Sequence, residues 1–128
     1  MPDEPLHVLL VDDNDTLRLL AQTVIDLELE DLSHRVTVVQ TGEEALAGCL
    51  REHVDVLVLD LHMPDVSGLD VLRQVKKLAN PPCVVAWSAD ERALHEAERL
   101  GVAASVMKDG DVTRLLDAIQ VCIGQLNN

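Results

Sequence analysis

The sequence predicts an α/β protein: a doubly wound parallel sheet of five strands, order 2-1-3-4-5, with a helix after each strand. Three observations predict it. Short apolar runs alternate with amphipathic helical patterns five times, which demands a parallel sheet covered on both faces and joined by right-handed crossovers. The run from Val54 to Leu59 is apolar except at Asp55 and rich in Val and Leu, as in a strand buried on both faces. Four of the five runs also end in a residue with chemistry on it, at the sheet edge where open α/β sheets bind ligands.

Each element follows in order. Leu6–Val11 is the first strand and ends in Asp12-Asp13. Asn14 or Asp15 caps the first helix, whose inner face is Leu17, Leu20, Ala21, Val24 and Leu27 at three- and four-residue spacing. Glu28–Ser33 is a polar connection to a second strand, Arg35–Val39. Thr41 and Glu44 form a capping box for a helix carrying Ala45, Leu46, Cys49 and Leu50. The third strand closes on Asp60, Met63-Pro64-Asp65 turns, and Ser67-Gly68 leads into the third helix. Val66, Leu69, Leu72, Val75 and Leu78 or Ala79 face inward there, and Asn80-Pro81-Pro82 stops it. Cys83–Trp87 is the fourth strand, ending at Ser88; Ser88 or Asp90 caps a helix through Leu100, with Gly101 at its end. Val102–Met107 is the fifth strand, ending at Lys108. From Asp111 a last helix spaces Val112, Leu115, Leu116, Ile119, Cys122, Ile123 and Leu126.

The 128 residues make a single domain, 1–128, 48% hydrophobic and without internal repeats. Phe and Tyr are absent, so Leu, Val, Ile, Ala and Met build the core. Trp87 is either plain core or a half-exposed plug under the fourth helix, its ring pointing away from the face that Ser88 uses. Net charge is −13, from 10 Lys+Arg against 23 Asp+Glu, which argues against direct nucleic-acid binding. No basic leader precedes an apolar stretch and no apolar run approaches ~18 residues, so a cytoplasmic protein without membrane contact is expected. Cys49, Cys83 and Cys122 are odd in number and lack CxxC spacing, as buried free thiols would be. His7, His34, His53 and His95 read as surface or partly packed residues, and His62 as an exposed loop residue rather than a ring ligand.

In the order 2-1-3-4-5 the ends carrying Asp12-Asp13, Asp60, Ser88 and Lys108 lie side by side. Alone, Asp12-Asp13 is equally a polar loop with a helix cap. Together, three carboxylates gather about −3 of charge, which lifts a pKa or recruits a cation. Oxygen-only, partly hydrated ligation favours Mg²⁺. With Mg²⁺ and Lys108 the site is near neutral and a phosphoryl group can approach. Asp60 can then act as nucleophile, Ser88 as hydroxyl donor and Lys108 as a point charge for phosphoryl oxygens.

The segments VDDN (Val11–Asn14) and LVLDLHMPDVSGLD (Leu57–Asp70), the Ser88-Ala89 pair and Lys108 resemble the receiver (CheY-like) domains of two-component response regulators along the whole chain. The resemblance implies a flavodoxin-like (βα)5 fold with Asp60 as phosphoacceptor. It implies Asp12, Asp13, Asp60 and the backbone carbonyl of His62 as Mg²⁺ ligands, Mn²⁺ substituting, with Ser88 as switch hydroxyl and Lys108 as phosphate-binding lysine. The donor would be the phosphohistidine of a sensor histidine kinase or phosphotransfer protein. The domain would catalyse only its own phosphorylation and dephosphorylation, and would signal to a downstream protein or a C-terminal output domain, with a homodimer as an alternative. His62 and Asp90 would tune water access, and Ala89 is too small to shield the phosphoryl group. Ser105 stands where most receivers have Tyr or Phe, and Asp109 where many have Pro. The Lys108-Asp109 pair and its surroundings are similar to receivers that precede LuxR-type (NarL-type) DNA-binding domains, so the chain is a stand-alone receiver or the receiver half of a longer protein. The rival is a degenerate pseudo-receiver, an interaction module that works without phosphorylation. A cobalamin module beginning DxHxxG fails at Asp65, and a DxD phosphatase fails at His62.

Overall fold

The computed structural model describes residues 4–126. Five strands, β1 (Leu6–Val11), β2 (His34–Val39), β3 (Val56–Asp60), β4 (Cys83–Ser88) and β5 (Ala104–Met107), alternate with five helices. The helices are α1 (Asp15–Glu28), α2 (Gly42–Arg51), α3 (Gly68–Val75), α4 (Glu91–Arg99) and α5 (Thr113–Leu126). All strand pairs are parallel and the order is β2-β1-β3-β4-β5, as the sequence predicts. Every residue of β3 is buried, which is what a central strand covered on both faces requires.

Strand alternation splits the core into two layers. Leu9, Val11, Leu57, Leu59 and Ala86 face α2, α3 and α4, with Ala45, Leu72 and Leu94 among the helical contributions. Val8, Leu10, Val58, Val85 and Trp87 face α1 and α5, meeting Ile25, Leu115, Ile119 and Cys122. Trp87 is 3% exposed and lies on the α1/α5 side, so it is core and not a plug under α4. Its ring does point away from the Ser88 face.

Several predicted details shift. Ile25 and Leu29, not Leu20 and Leu27, anchor α1; Leu20 and Leu27 are exposed. Two residues past Ile25 is the far side of a helix with 3.6 residues per turn, so Leu27 cannot share its face. Leu50 is exposed for the same kind of reason, five residues beyond the buried Ala45. In α5 the terminal Leu126 is exposed as well, and in the turn after α3 Leu78 rather than Ala79 packs inward. The β3 ladder opens at Val56, because Asp55 is spent on a cap: its Oδ2 accepts the His7 N–H at 2.8 Å. β5 opens at Ala104, since Val102 still closes the α4 end on Ala97 and Gly101 turns with φ +90°. His7 is buried, with Nδ1 bonded to the His53 carbonyl at 3.1 Å and Nε2 to the Thr37 hydroxyl at 2.8 Å. Of the thiols only Cys122 is fully buried; Cys49 and Cys83 are half-buried, and burial pushes the Cys49 thiol up to about 11.

Candidate functional site

The ladder continues past the strand ends and holds the site residues by their backbones. The Asp12 N–H donates to the Val39 carbonyl at 3.2 Å, the Leu61 N–H to the Trp87 carbonyl at 3.2 Å, and the Lys108 N–H to the Ser88 carbonyl at 2.9 Å. Asp60 pairs in register with Trp87, and Ser88 with Met107. The four strand ends that carry chemistry in the sequence therefore do meet at one edge.

Asp12 is fully buried; Oδ1 accepts the Asn14 N–H at 2.9 Å and Oδ2 the Lys108 ammonium at 2.6 Å. Asp60 is 2% exposed, with Oδ1 accepting the His62 N–H at 2.9 Å and Oδ2 3.3 Å from Lys108 Nζ. Asp13 is exposed, and a carboxylate oxygen from each of Asp12, Asp13 and Asp60 lies within 4.8 Å of the others. Burial raises the Asp60 carboxyl above the ordinary carboxylate range and the charge of Asp12 adds to that; the His62 N–H and Lys108 oppose it. Three carboxylates facing one ammonium form an oxygen-only donor set with surplus negative charge, which fits a hard divalent cation such as Mg²⁺.

Ser88 is fully buried and its Oγ accepts the Asp90 N–H at 2.9 Å, so the hydroxyl proton is left to donate. Asp90 is the N-cap of α4, accepting from Arg92 and Ala93; the Ala93 N–H leads in holding its carboxyl below the usual range. Its other oxygen lies 3.2 Å from His62 Nε2, so the β3–α3 and β4–α4 loops meet across the site mouth. His62 is exposed, as expected, and Ala89, which precedes Asp90, is exposed too. Ser105 lies away from this cluster, its hydroxyl bonded to Glu98 of α4.

Three features are not legible in the strand-end pattern. The Lys108 ammonium sits 4.7 Å from the centroid of the Trp87 ring. The Asp65 carboxylate, in the turn after β3, accepts the Gly42 and Glu43 N–H groups at 3.1 and 3.0 Å, tying that loop to the start of α2. Gly68 opens α3 so close to Asp60 and Leu61 that an added Cβ would stand 2.4 Å from their backbone atoms. The Gly in the DLHMPDVSG segment was the one available signal for the third.

Comparison with known proteins agrees with this geometry. A family model, the response regulator receiver domain, matches residues 8–120. The sensory/regulatory protein RpfC of Xanthomonas campestris is 28% identical over 120 residues, covering 89% of this chain and 16% of its own length. The shares of other curated relatives run from 10% to 51%, so the chain spans only part of the proteins it matches. Among solved structures, the bacteriophytochrome response regulator RtBRR is 32% identical with a TM-score of 0.74, over 93% of this chain and 78% of that one. A signal receiver domain from Vibrio parahaemolyticus superposes with a TM-score of 0.81 at 23% identity, over 95% of this chain and 92% of that one. Fold, site and family match converge, and this chain belongs to the response regulator receiver domains of two-component signalling.

Proposed function

We propose that this receiver works as a phosphorylation switch in which Asp60 accepts a phosphoryl group from a phosphohistidine of a sensor histidine kinase or phosphotransfer protein. The observation that carries the reading is the Asp60 carboxylate: almost stripped of water, yet fixed by the His62 N–H and the Lys108 ammonium. Such a carboxylate is a directed nucleophile. Receiver domains bind Mg²⁺ at an acidic pocket. Here Asp12, Asp13, Asp60 and the backbone carbonyl of His62 would hold it, with Mn²⁺ as a substitute. When bound, the ion supplies the positive charge that lets a phosphoryl group approach three acids.

An Asp60 oxygen forms the new P–O bond as the donor's P–N bond breaks; the electron pair stays on the imidazole, which takes up a proton. Lys108 offers its ammonium to one phosphoryl oxygen and Ser88 its hydroxyl proton to another. In a separate hydrolytic step water attacks phosphorus, its P–O bond to Asp60 breaks, inorganic phosphate leaves and the Asp60 carboxylate returns. Asp90, at the mouth with His62, orders that water, and Ala89 leaves the path open. On this reading the chain catalyses only its own phosphorylation and dephosphorylation.

Among the described residues no helix is long and apolar enough to cross a membrane. We place the domain in the cytoplasm with its kinase, signalling to a downstream protein, a C-terminal output domain of LuxR type or a second copy, without touching nucleic acid itself. The pseudo-receiver reading is favoured by one observation: Ser105 is bonded to Glu98 and has no ring to turn. Against it stands the intact set Asp12, Asp13, Asp60, Ser88 and Lys108. Intact-mass analysis after phosphoramidate or acetyl phosphate with Mg²⁺ decides between them. One phosphoryl group should appear on wild type and none on Asp60→Asn. Equal labelling of both would remove Asp60 from its role, and an unlabelled wild type would leave the pseudo-receiver.

A further inference from the structure

We propose that Trp87 is a positioning residue for Lys108, holding the ammonium against its indole face in the pose from which a phosphoryl group takes it. This rests on the phosphoacceptor reading of Asp60. Lysine carries its charge on a flexible four-carbon stem, so something must choose its rotamer. Asp12 Oδ2 at 2.6 Å and Asp60 Oδ2 at 3.3 Å draw the ammonium toward the acids. The Trp87 ring, 4.7 Å from Nζ to centroid, bounds it on another side. A cation over an indole face is attracted by the ring quadrupole, most strongly where water is excluded. The ring side of the contact is shielded, since Trp87 is 3% exposed, and Lys108 is half-buried against it.

The placement of Trp87 makes the contact specific to this site. Trp87 pairs with Asp60 in the β3–β4 register, and its carbonyl accepts the N–H of Leu61, the residue after Asp60. One residue therefore fixes both the backbone at the phosphoacceptor and the cation that faces it. The ring and the lysine also wall a cavity of about 120 Å³ with Leu17, Leu20 and Val112, on the α1/α5 side. A charge held ready against a buried ring needs little reorganisation when phosphoryl charge arrives. The competing account is plain packing of the lysine stem on an apolar ring. The two accounts differ in whether the aromatic face, and the charge above it, matter.

The test measures the rate of phosphoryl addition to Asp60 from phosphoramidate and Mg²⁺ by intact mass. It compares wild type, Trp87→Phe, Trp87→Leu, Lys108→Met and the Trp87→Leu/Lys108→Met double variant. Trp87→Phe keeps an aromatic face and should label within about threefold of wild type. Trp87→Leu keeps only apolar bulk and should be about three- to thirtyfold slower. In the Lys108→Met background the leucine should slow nothing further. Wild-type rates for Trp87→Leu overturn the assignment, and so does equal slowing in both backgrounds, which is the signature of packing. Trp87 emission supplies a reading that no folding defect at position 87 can blur: Lys108→Met should change its intensity, and an unchanged spectrum overturns the contact. A wild type that takes no phosphoryl group overturns the phosphoacceptor reading instead, and the emission comparison, run without donor, then decides the Trp87 assignment alone.

Discussion

Replacing Gly68 by alanine should unseat the backbone on which Asp60 stands. The new Cβ would lie 2.4 Å from the Asp60 carbonyl oxygen, 2.4 Å from Leu61 Cα and 3.1 Å from the Asp60 carbonyl carbon. All three are main-chain atoms, so no side chain can swing aside, and the comfortable separation is about 3.5–4.0 Å. Gly68 also donates its N–H to the Leu61 carbonyl at 3.2 Å, which pins α3 against this stretch. Two effects oppose. Alanine is better than glycine inside a helix by about 1 kcal/mol. Overpacking against groups that cannot move costs about 1–3 kcal/mol or more, and contacts this short belong at the upper end. The net destabilisation should be about 2 kcal/mol, a fall in urea midpoint of roughly 1 M and in Tm of roughly 6–10 °C. A displacement on the order of 1 Å at a reacting group costs on the order of a hundredfold in rate. Labelling of Asp60 by phosphoramidate should accordingly slow by about tenfold or more for a shift of half that size. Gly124→Ala is the control, because an added Cβ there meets nothing within 4 Å; it should melt at or above wild type. If Gly68→Ala melts and labels like wild type, the close approach does not set the position of Asp60 and the reasoning fails.

Asp13→Ala should lose both Mg²⁺ binding by calorimetry and labelling of Asp60, while retaining wild-type far-UV dichroism; unchanged Mg²⁺ affinity would remove Asp13 from the site. Asp90→Ala should lengthen the life of the phosphoryl group by less than about tenfold, read by mass after donor removal, and an unchanged life in the His62→Ala/Asp90→Ala double variant would show that the loop pair does not govern water. The Asp65 carboxyl is held below its ordinary range by the N–H groups of Glu43, Val66 and Gly42. A depressed folded pKa gives stability that is present above the unfolded value and lost as pH falls through the folded one. The difference in urea midpoint between wild type and Asp65→Asn should therefore be full at neutral pH and shrink below about pH 4; a gap that stays constant into acid would refute the tie to α2.

Much of this molecule can be read from the sequence, because its pattern is repetitive and its chemistry sits at strand ends. Asp12, Asp13, Asp60, Ser88 and Lys108 are scattered along the chain, yet topology alone brings them to one edge. What the sequence hides lies between elements. No periodicity says that Trp87 of β4 would lie beneath Lys108 after β5, or that Asp65 would reach the first N–H groups of α2. The α1 stripe misleads at Leu20 and Leu27, which stand on the outer sides of the helix and are exposed, while Leu17, Ala21 and, outside the predicted stripe, Ile25 pack inward. His7 misleads because both its ring nitrogens find partners from distant residues, Thr37 and the His53 carbonyl, which makes a buried histidine tolerable.

The distribution of charge at the site bears on whether the acids are there for the fold or for a ligand. A structural ion pair needs one carboxylate per ammonium, and Asp12 with Lys108 at 2.6 Å already satisfies that requirement. Asp60 is a second carboxylate, buried to 2% exposure, whose burial works against its charge. Asp13 is a third, and among the described residues it has no cation of its own. For stability alone this arrangement is unfavourable, since each surplus buried or crowded carboxylate costs free energy that packing with apolar residues would not. A chain that can fill its core with Leu and Val has no difficulty placing them here. The surplus of two negative charges makes physical sense where a divalent cation arrives to cancel it. On the proposed reading the cation would balance the acids, leaving the Lys108 ammonium, already 3.3 Å from Asp60 Oδ2, to face a phosphoryl group.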